Sequence, residues 1–342
     1  MIAGGAAHSN NVGVGRRGAV LGTAALLAGC AGEAAPRGLA TVAAVIEDGS
    51  FAMSDGARLP YRAWLPDGDL SAVVLALHGF NDSRDAWEIP APRFVSSGIA
   101  LYSPDQRGFG QAPGRGLWAG ADRLADDASE MARLLARQHP GVPLVLMGES
   151  MGGAVLMHMA TRPDPPAARY VLVAPAVWGR ARMNFLLRSG LWLAASLAPG
   201  FAVTGPPPLI RVRASDNYPA LVRLSRDPLT VHSTRFDTLK GLVDLMDAAL
   251  AAAPLFTAPA LLLYGARDEL VPKAATRATW EMVPPAQVRL AYYVEGFHLL
   301  MRDLHRALPI DDTIAWIGDP AAALPSGADG AARAWLAATR EA

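Results

Sequence analysis

Six short apolar runs punctuate the chain: Ala72 to Leu77, Ile99 to Ser103, Val142 to Met147, Tyr170 to Val173, Ala260 to Tyr264 and Val288 to Val294. None alternates strictly between polar and apolar residues, so each suits a strand buried on both faces of a parallel sheet. Helical stretches lie between them, notably Ala121 to Gln138 and Met151 to Thr161. That alternation predicts an α/β fold, a mostly parallel central sheet flanked by helices. In open sheets of this kind the site lies beyond the carboxyl ends of the strands. Those ends carry His78-Gly79, Pro104-Asp105, Gly148, Ala174-Pro175, Gly265 and Glu295-Gly296.

One stretch breaks the pattern. Residues 179–255 carry no convincing strand. They hold Met183 to Ala198, rich in Leu and Trp, the run Pro206-Pro207-Pro208, and an amphipathic helix from Leu239 to Ala252. This reads as a helical cap inserted between the two parts of the core, 41–178 and 256–320. Arg188, Gly190 and Pro199 interrupt its apolar part, which therefore cannot span a membrane. Residues 321–342 are expected to form a C-terminal surface helix, centred on Ala331 to Arg340.

The run Gly148-Glu149-Ser150-Met151-Gly152-Gly153 contains Gly-x-Ser-x-Gly. In a chain with 33 glycines a bare match is weak. Its setting makes it strong: a buried-strand pattern precedes it and a helical one follows, as a nucleophile elbow requires. The serine turn is tight, so its neighbours must lack side chains that would clash. The helix N-terminus behind it offers free N–H groups and a positive dipole end to a developing oxyanion. Ser150 is the candidate nucleophile.

A serine hydroxyl needs a base. In one recurring order for a serine on such a strand–turn–helix elbow, an acid follows the serine and a histidine follows the acid. Asp268 stands just past the run ending at Tyr264, and His298 just past the run ending at Val294. His298 would take and return the proton; Asp268 would hold the imidazole in the right tautomer and stabilise its cation. Glu269 is a rival acid, and His305 and His232 are rival bases. The oxyanion donors in this arrangement are the N–H groups of Phe80, in His78-Gly79-Phe80, and of Met151. His78 then braces its loop rather than serving as a second base. Asn81-Asp82-Ser83 reads as a helix cap, and Asp105-Gln106-Arg107-Gly108-Phe109-Gly110 as a loop brace.

Together these pieces resemble the monoacylglycerol lipase and lysophospholipase branch of the α/β-hydrolases, often labelled serine aminopeptidase-like. The resemblance rests on His78-Gly79-Phe80, Asp105-x-Arg107-Gly108-x-Gly110, Gly148 to Gly153, Gly265-x-x-Asp268-x-x-Val271-Pro272 and Gly296-x-His298. It implies hydrolysis of acyl esters such as monoacylglycerol or lysophospholipid, with no metal or organic cofactor. Two departures bear on substrate: Glu149 stands where several members carry histidine, and the cap matches no familiar pattern. Phe185, Leu186, Leu187, Leu191, Trp192 and Leu193 could line an acyl tunnel or simply fill the cap core.

The N-terminus reads as a targeting segment. Residues 1–32 contain no acid, and Arg16-Arg17 precede a twelve-residue apolar stretch, Gly18 to Gly29. As a helix this rises about 18 Å, short of a ~30 Å hydrocarbon core. Leu27-Ala28-Gly29-Cys30 resembles the lipobox of bacterial lipoproteins. The resemblance implies removal of residues 1–29 as signal peptide and acylation of Cys30, with 30–40 as linker. The protein would then sit in the cell envelope, held to a membrane surface through its lipid on the periplasmic side.

Other classes fit less well. Lys plus Arg equals Asp plus Glu at 31 each, so there is no footprint for nucleic acid. Cys30 is the single cysteine, which excludes an intramolecular disulfide and a cysteine zinc cage. A proline-iminopeptidase-like peptidase would need an acid to grip the substrate amine; Glu149 or an acid of the cap could serve. A silent envelope binding protein would be expected to lack one of Ser150, Asp268 and His298.

Overall fold

A computed structural model describes residues 38–338 except 164–165, 168 and 206–211. The signal segment, Cys30 and the run Pro206-Pro207-Pro208 lie outside the described residues. The chain opens with β1 (Val45–Glu47), β2 (Ser50–Ala52) and β3 (Arg58–Trp64), an antiparallel meander. Then β4 (Ala72–Leu77), α1 (Ala91–Ser96), β5 (Ile99–Pro104), α2 (Ala121–Gln138), β6 (Leu144–Glu149), α3 (Met151–Ala160) and β7 (Arg169–Val173) alternate. The insertion follows, with α4 (Phe185–Leu197), β8 (Ala202–Thr204), α5 (Tyr218–Arg226), β9 (Ser233–Arg235) and α6 (Phe236–Ala252). The chain closes with β10 (Ala260–Gly265), α7 (Lys273–Met282), β11 (Val288–Tyr293), α8 (Ala307–Gly318) and α9 (Ala328–Ala338).

Among the described residues the main sheet has the order β1-β2-β3-β5-β4-β6-β7-β10-β11. From β5 to β11 every pairing is parallel. The period-2 geometry of a strand splits each apolar run between two cores. Val73, Leu75, Leu77, Leu146 and Leu172 face one core with α2 and α3; Val74, Ala76, Val145, Met147 and Val173 face the other with Phe94, Ile310 and Trp316. Burial on both faces is why these strands show no alternation in sequence.

The structure redraws the insertion. β8 and β9 pair as an antiparallel ribbon where no strand was expected. Three residues each is too short to leave a pattern. Helix α6 reads from sequence as part of the cap, yet its Leu245, Ala249 and Ala252 are buried in the first core beside α3. Helix α9 packs against the end of the sheet, where its Trp335 stacks on Tyr292 of β11 with centroids 4.6 Å apart. No helix among the described residues is long and apolar enough to cross a membrane.

Candidate active site

Ser150 sits between β6 and α3 with φ 52° and ψ −112°. That is a strained place for a side-chain-bearing residue, and it lifts the hydroxyl clear of both elements. Close packing holds the turn. A Cβ on Gly148 would lie 2.5 Å from the Gly152 carbonyl carbon, and one on Gly152 would lie 2.5 Å from Leu77 O. Only glycine lets helix α3 press this near to β4 and β6. Ser150 N donates to Val173 O at 2.9 Å, and Ser150 O accepts from Ala176 N at 2.9 Å, so the neighbouring strand end also pins the turn.

The loop after β4 lies against this elbow. A Cβ on Gly79 would be 3.5 Å from Ser150 Cβ. Phe80 follows at once, and Met151 is the first residue of α3, where an N–H has no acceptor inside its own helix. His78 is fully buried. Its Nε2 accepts from Gln106 N at 3.0 Å, so Nδ1 carries the proton and donates to Gly79 O at 2.8 Å. Burial pushes this imidazole below its usual pKa. Both nitrogens are occupied, and His78 braces the loop from β4 to the one after β5. That second loop is fastened by Arg107, which donates to Asp127 through Nε at 2.8 Å and pairs with Asp55 at 3.0 Å.

Asp268 and His298 meet. His298 Nδ1 donates to Asp268 Oδ2 at 2.7 Å, and both side chains are buried. Their loops are interlocked: Arg267 N donates to Gly296 O at 2.8 Å, and a Cβ on Gly265 would fall 2.4 Å from Gly296 O. Burial alone would lower the His298 pKa. The Asp268 charge and hydrogen bond, helped by the charge of Glu149, more than offset it and leave the pKa raised. The rivals stand apart from this pair. Glu269 accepts from Arg213 N at 2.7 Å, His305 is exposed, and His232 is exposed with Nε2 3.1 Å from Asp227 O. Arg267 pairs with Glu295 at the surface.

Two features escaped the reading of the residues. Glu149 is buried and ion-paired to Arg302, and the same guanidinium reaches Asp82 Oδ2 at 2.8 Å. Asp82 thus belongs to a buried charge cluster; capping of the Arg84–Trp87 turn falls to Ser83, whose Oγ accepts from Asp85 N at 3.3 Å. The sequence carried one signal, an arginine directly after the apolar residues Leu299 to Met301. Next to it, Asp303 Oδ2 accepts from Phe297 N at 2.7 Å and Oδ1 from Ser215 Oγ at 2.5 Å, and burial pushes its carboxyl up to about 6.

A cavity of about 1050 Å³ lies between the cap and the loop after β4, lined by Phe80, Asn81, Leu187, Leu191, Phe201 and Val231 among others. Of the six α4 residues that could line an acyl tunnel, only Leu187 and Leu191 reach it. Phe185, Leu186, Trp192 and Leu193 are 50–80% exposed. The 3.6-residue repeat explains the split: 187, 191 and 194 share one face of α4.

Comparison with known proteins places the chain in a family. The family described as serine aminopeptidase, S33 (Hydrolase_4) matches residues 68–305. A monoacylglycerol lipase of Mycolicibacterium smegmatis is 27% identical over 271 residues, covering 78% of this chain and 95% of that protein. The monoglyceride lipase of Homo sapiens is 25% identical over 254 residues, 73% of this chain and 83% of that one. A soluble variant of monoglyceride lipase from Saccharomyces cerevisiae, solved with a substrate analog, shares the fold with TM-score 0.66 at 18% identity, over 83% of this chain and 97% of that one. With a family match spanning most of its length and an α/β-hydrolase fold, the chain belongs to the serine aminopeptidase S33 family.

Proposed function

We propose that this carboxylic ester hydrolase cleaves monoacylglycerols through an acyl-enzyme on Ser150. The observation that carries the reading is the mostly apolar cavity lined by Phe80, whose neighbour Gly79 packs against the strained Ser150 turn; the hydrogen-bonded His298–Asp268 pair supplies a base and its acid. The names of the relatives point to the same substrate class.

In this mechanism Ser150 Oγ attacks the ester carbonyl while His298 Nε2 takes its proton. The tetrahedral oxyanion is met by the N–H groups of Phe80 and Met151. His298 returns the proton to the alkoxide as the C–O bond breaks, and the alcohol leaves. Water then attacks the acyl-enzyme with His298 again as base, releasing the fatty acid and regenerating Ser150. Asp268 keeps Nδ1–H as a donor throughout. Glu149, one of the acids that could grip a peptidase substrate's amine, is already paired with Arg302, which weighs against that form of the peptidase alternative.

The test is one panel on one preparation: p-nitrophenyl esters of rising chain length, monoacylglycerols, lysophosphatidylcholine and proline anilide. Turnover of monoacylglycerols above the rest is the expected result; proline anilide as the best substrate would overturn the reading. A fluorophosphonate should label Ser150 and not Ser150→Ala.

The proposal includes anchoring through an acylated Cys30. The solvent-facing Phe185, Leu186 and Trp192 of α4 would offer a tethered enzyme an apolar surface toward lipid. Mass spectrometry of membrane-extracted protein should find a diacylglycerol-modified Cys30 at the N-terminus. An unmodified cysteine would exclude the anchor.

A further inference from the structure

We infer that Arg302 is a positioning residue whose one guanidinium, clasped by Glu149 and Asp82, sets the register of the three loops that meet at Ser150. The inference rests on the roles proposed for Ser150 and His298. Glu149 directly precedes the nucleophile. Asp82 lies two residues after Phe80, in the loop that carries that oxyanion donor. Arg302 lies four residues after His298, and its N–H donates to Leu299 O at 2.8 Å within the base loop. Its Nη1 holds Asp82 and its Nη2 holds Glu149, so a planar fork spans nucleophile strand, oxyanion loop and base loop at once. Asn217 Nδ2 caps the Arg302 carbonyl at 2.7 Å, which fixes the arginine backbone from the cap side.

The cluster is built unlike a stability device. All three side chains are at least 93% buried, where removing charges from water is costly. Glu149 Oε1 and Arg302 Nε are buried with no hydrogen-bond partner among the described residues, so capacity that would repay that cost is unspent. Apolar side chains could fill the same space more simply. What they could not do is fix angles between three loops, which a bidentate fork does. The cluster also places charge on the base. The groups that act on His298 are Asp268, Glu149 and Arg302; Glu149 favours the imidazolium and Arg302 opposes it.

The test compares Arg302→Lys and Glu149→Gln with the wild-type chain and with Arg93→Ala, which breaks an exposed pair with Asp311. Lysine keeps the charge but cannot grip two carboxylates in a fixed plane. Arg302→Lys should lower kcat and the fluorophosphonate labelling rate by roughly tenfold or more, with KM within about threefold. Glu149→Gln should move the acidic limb of kcat/KM to lower pH, and Arg302→Met should move it to higher pH. A role confined to folding would lower the melting temperature and leave that limb in place. Should Arg302→Met fail to fold, Glu149→Gln alone decides through its limb. Wild-type kcat in folded Arg302→Lys, or an unmoved limb in Glu149→Gln, overturns the clasp. Ser150→Ala is run alongside: residual turnover there overturns the proposed chemistry itself, whereas an inactive Ser150→Ala beside a fully active Arg302→Lys overturns only the clasp.

Discussion

Asp268 divides its carboxylate between His298 and its own loop. Oδ2 accepts from His298 Nδ1 at 2.7 Å, while Oδ1 accepts from Leu270 N at 2.7 Å and Val271 N at 2.9 Å. The backbone bonds fix the carboxylate plane, so the acid is oriented before any substrate arrives. Asp268→Asn retains the size and loses the charge, and its amide can present N–H to His298 in place of an acceptor. That favours the wrong imidazole tautomer. The expected loss in kcat is about 10⁴-fold with little change in melting temperature, measured on a soluble ester. Glu269→Gln should stay near wild type, because Glu269 faces Arg213 N.

The same pair sets a pH dependence with opposite signs for activity and stability. His298 must be neutral to accept the Ser150 proton. Its pKa is raised by Asp268 above an ordinary value of about 6.5, so kcat/KM should rise with pH through a midpoint above that value. For stability the folded state binds this proton more tightly than the unfolded one. The contribution is therefore fully present below about pH 6.5 and is lost as pH rises through the folded pKa. A rate profile that stays flat down to pH 5.5 would contradict the assignment of the base.

Glycines around the elbow separate fold from chemistry. In Gly152→Ala the new methyl would stand 2.5 Å from Leu77 O, a backbone atom of a central strand that cannot yield cheaply. A loss of about 1–3 kcal/mol is expected, read as a lowered denaturant midpoint. In Gly79→Ala the methyl meets Ser150 Cβ at an ordinary 3.5 Å. The fold should persist while fluorophosphonate labelling slows, because the methyl narrows the approach to Ser150. Equal loss of stability in both variants would show that the two contacts differ less than their geometry indicates.

What could be read from the residues was whatever local pattern records. Strands buried on both faces leave unbroken apolar runs, and their carboxyl ends carry the polar residues that now meet at His298 and Asp268. The cap was less legible. β8 and β9 are too short to show periodicity, and the helical pattern of α6 does not say which neighbour its apolar face will meet. The Arg302–Glu149 pair joins residues 153 positions apart, and no local window contains both. Its only trace was a charge next to apolar residues, which reads equally as a solvated helix end.

The two faces of α4 give the last prediction. Leu191 reaches the cavity beside Phe80, and Trp192, one residue on and about 100° round the helix, is 63% exposed and does not line that cavity. If the acyl chain occupies that cavity, filling it from Leu191 should penalise long chains selectively. Leu191→Trp should leave acetate and butyrate esters within about threefold of wild-type kcat/KM and lower long-chain esters by tenfold or more, since each buried CH₂ that is displaced forfeits about 0.8 kcal/mol. Trp192→Ala should leave the chain-length profile of soluble esters unchanged. A uniform loss across all chain lengths in Leu191→Trp would mean that the cap moves as a whole to reach Ser150, and that the acyl chain lies elsewhere.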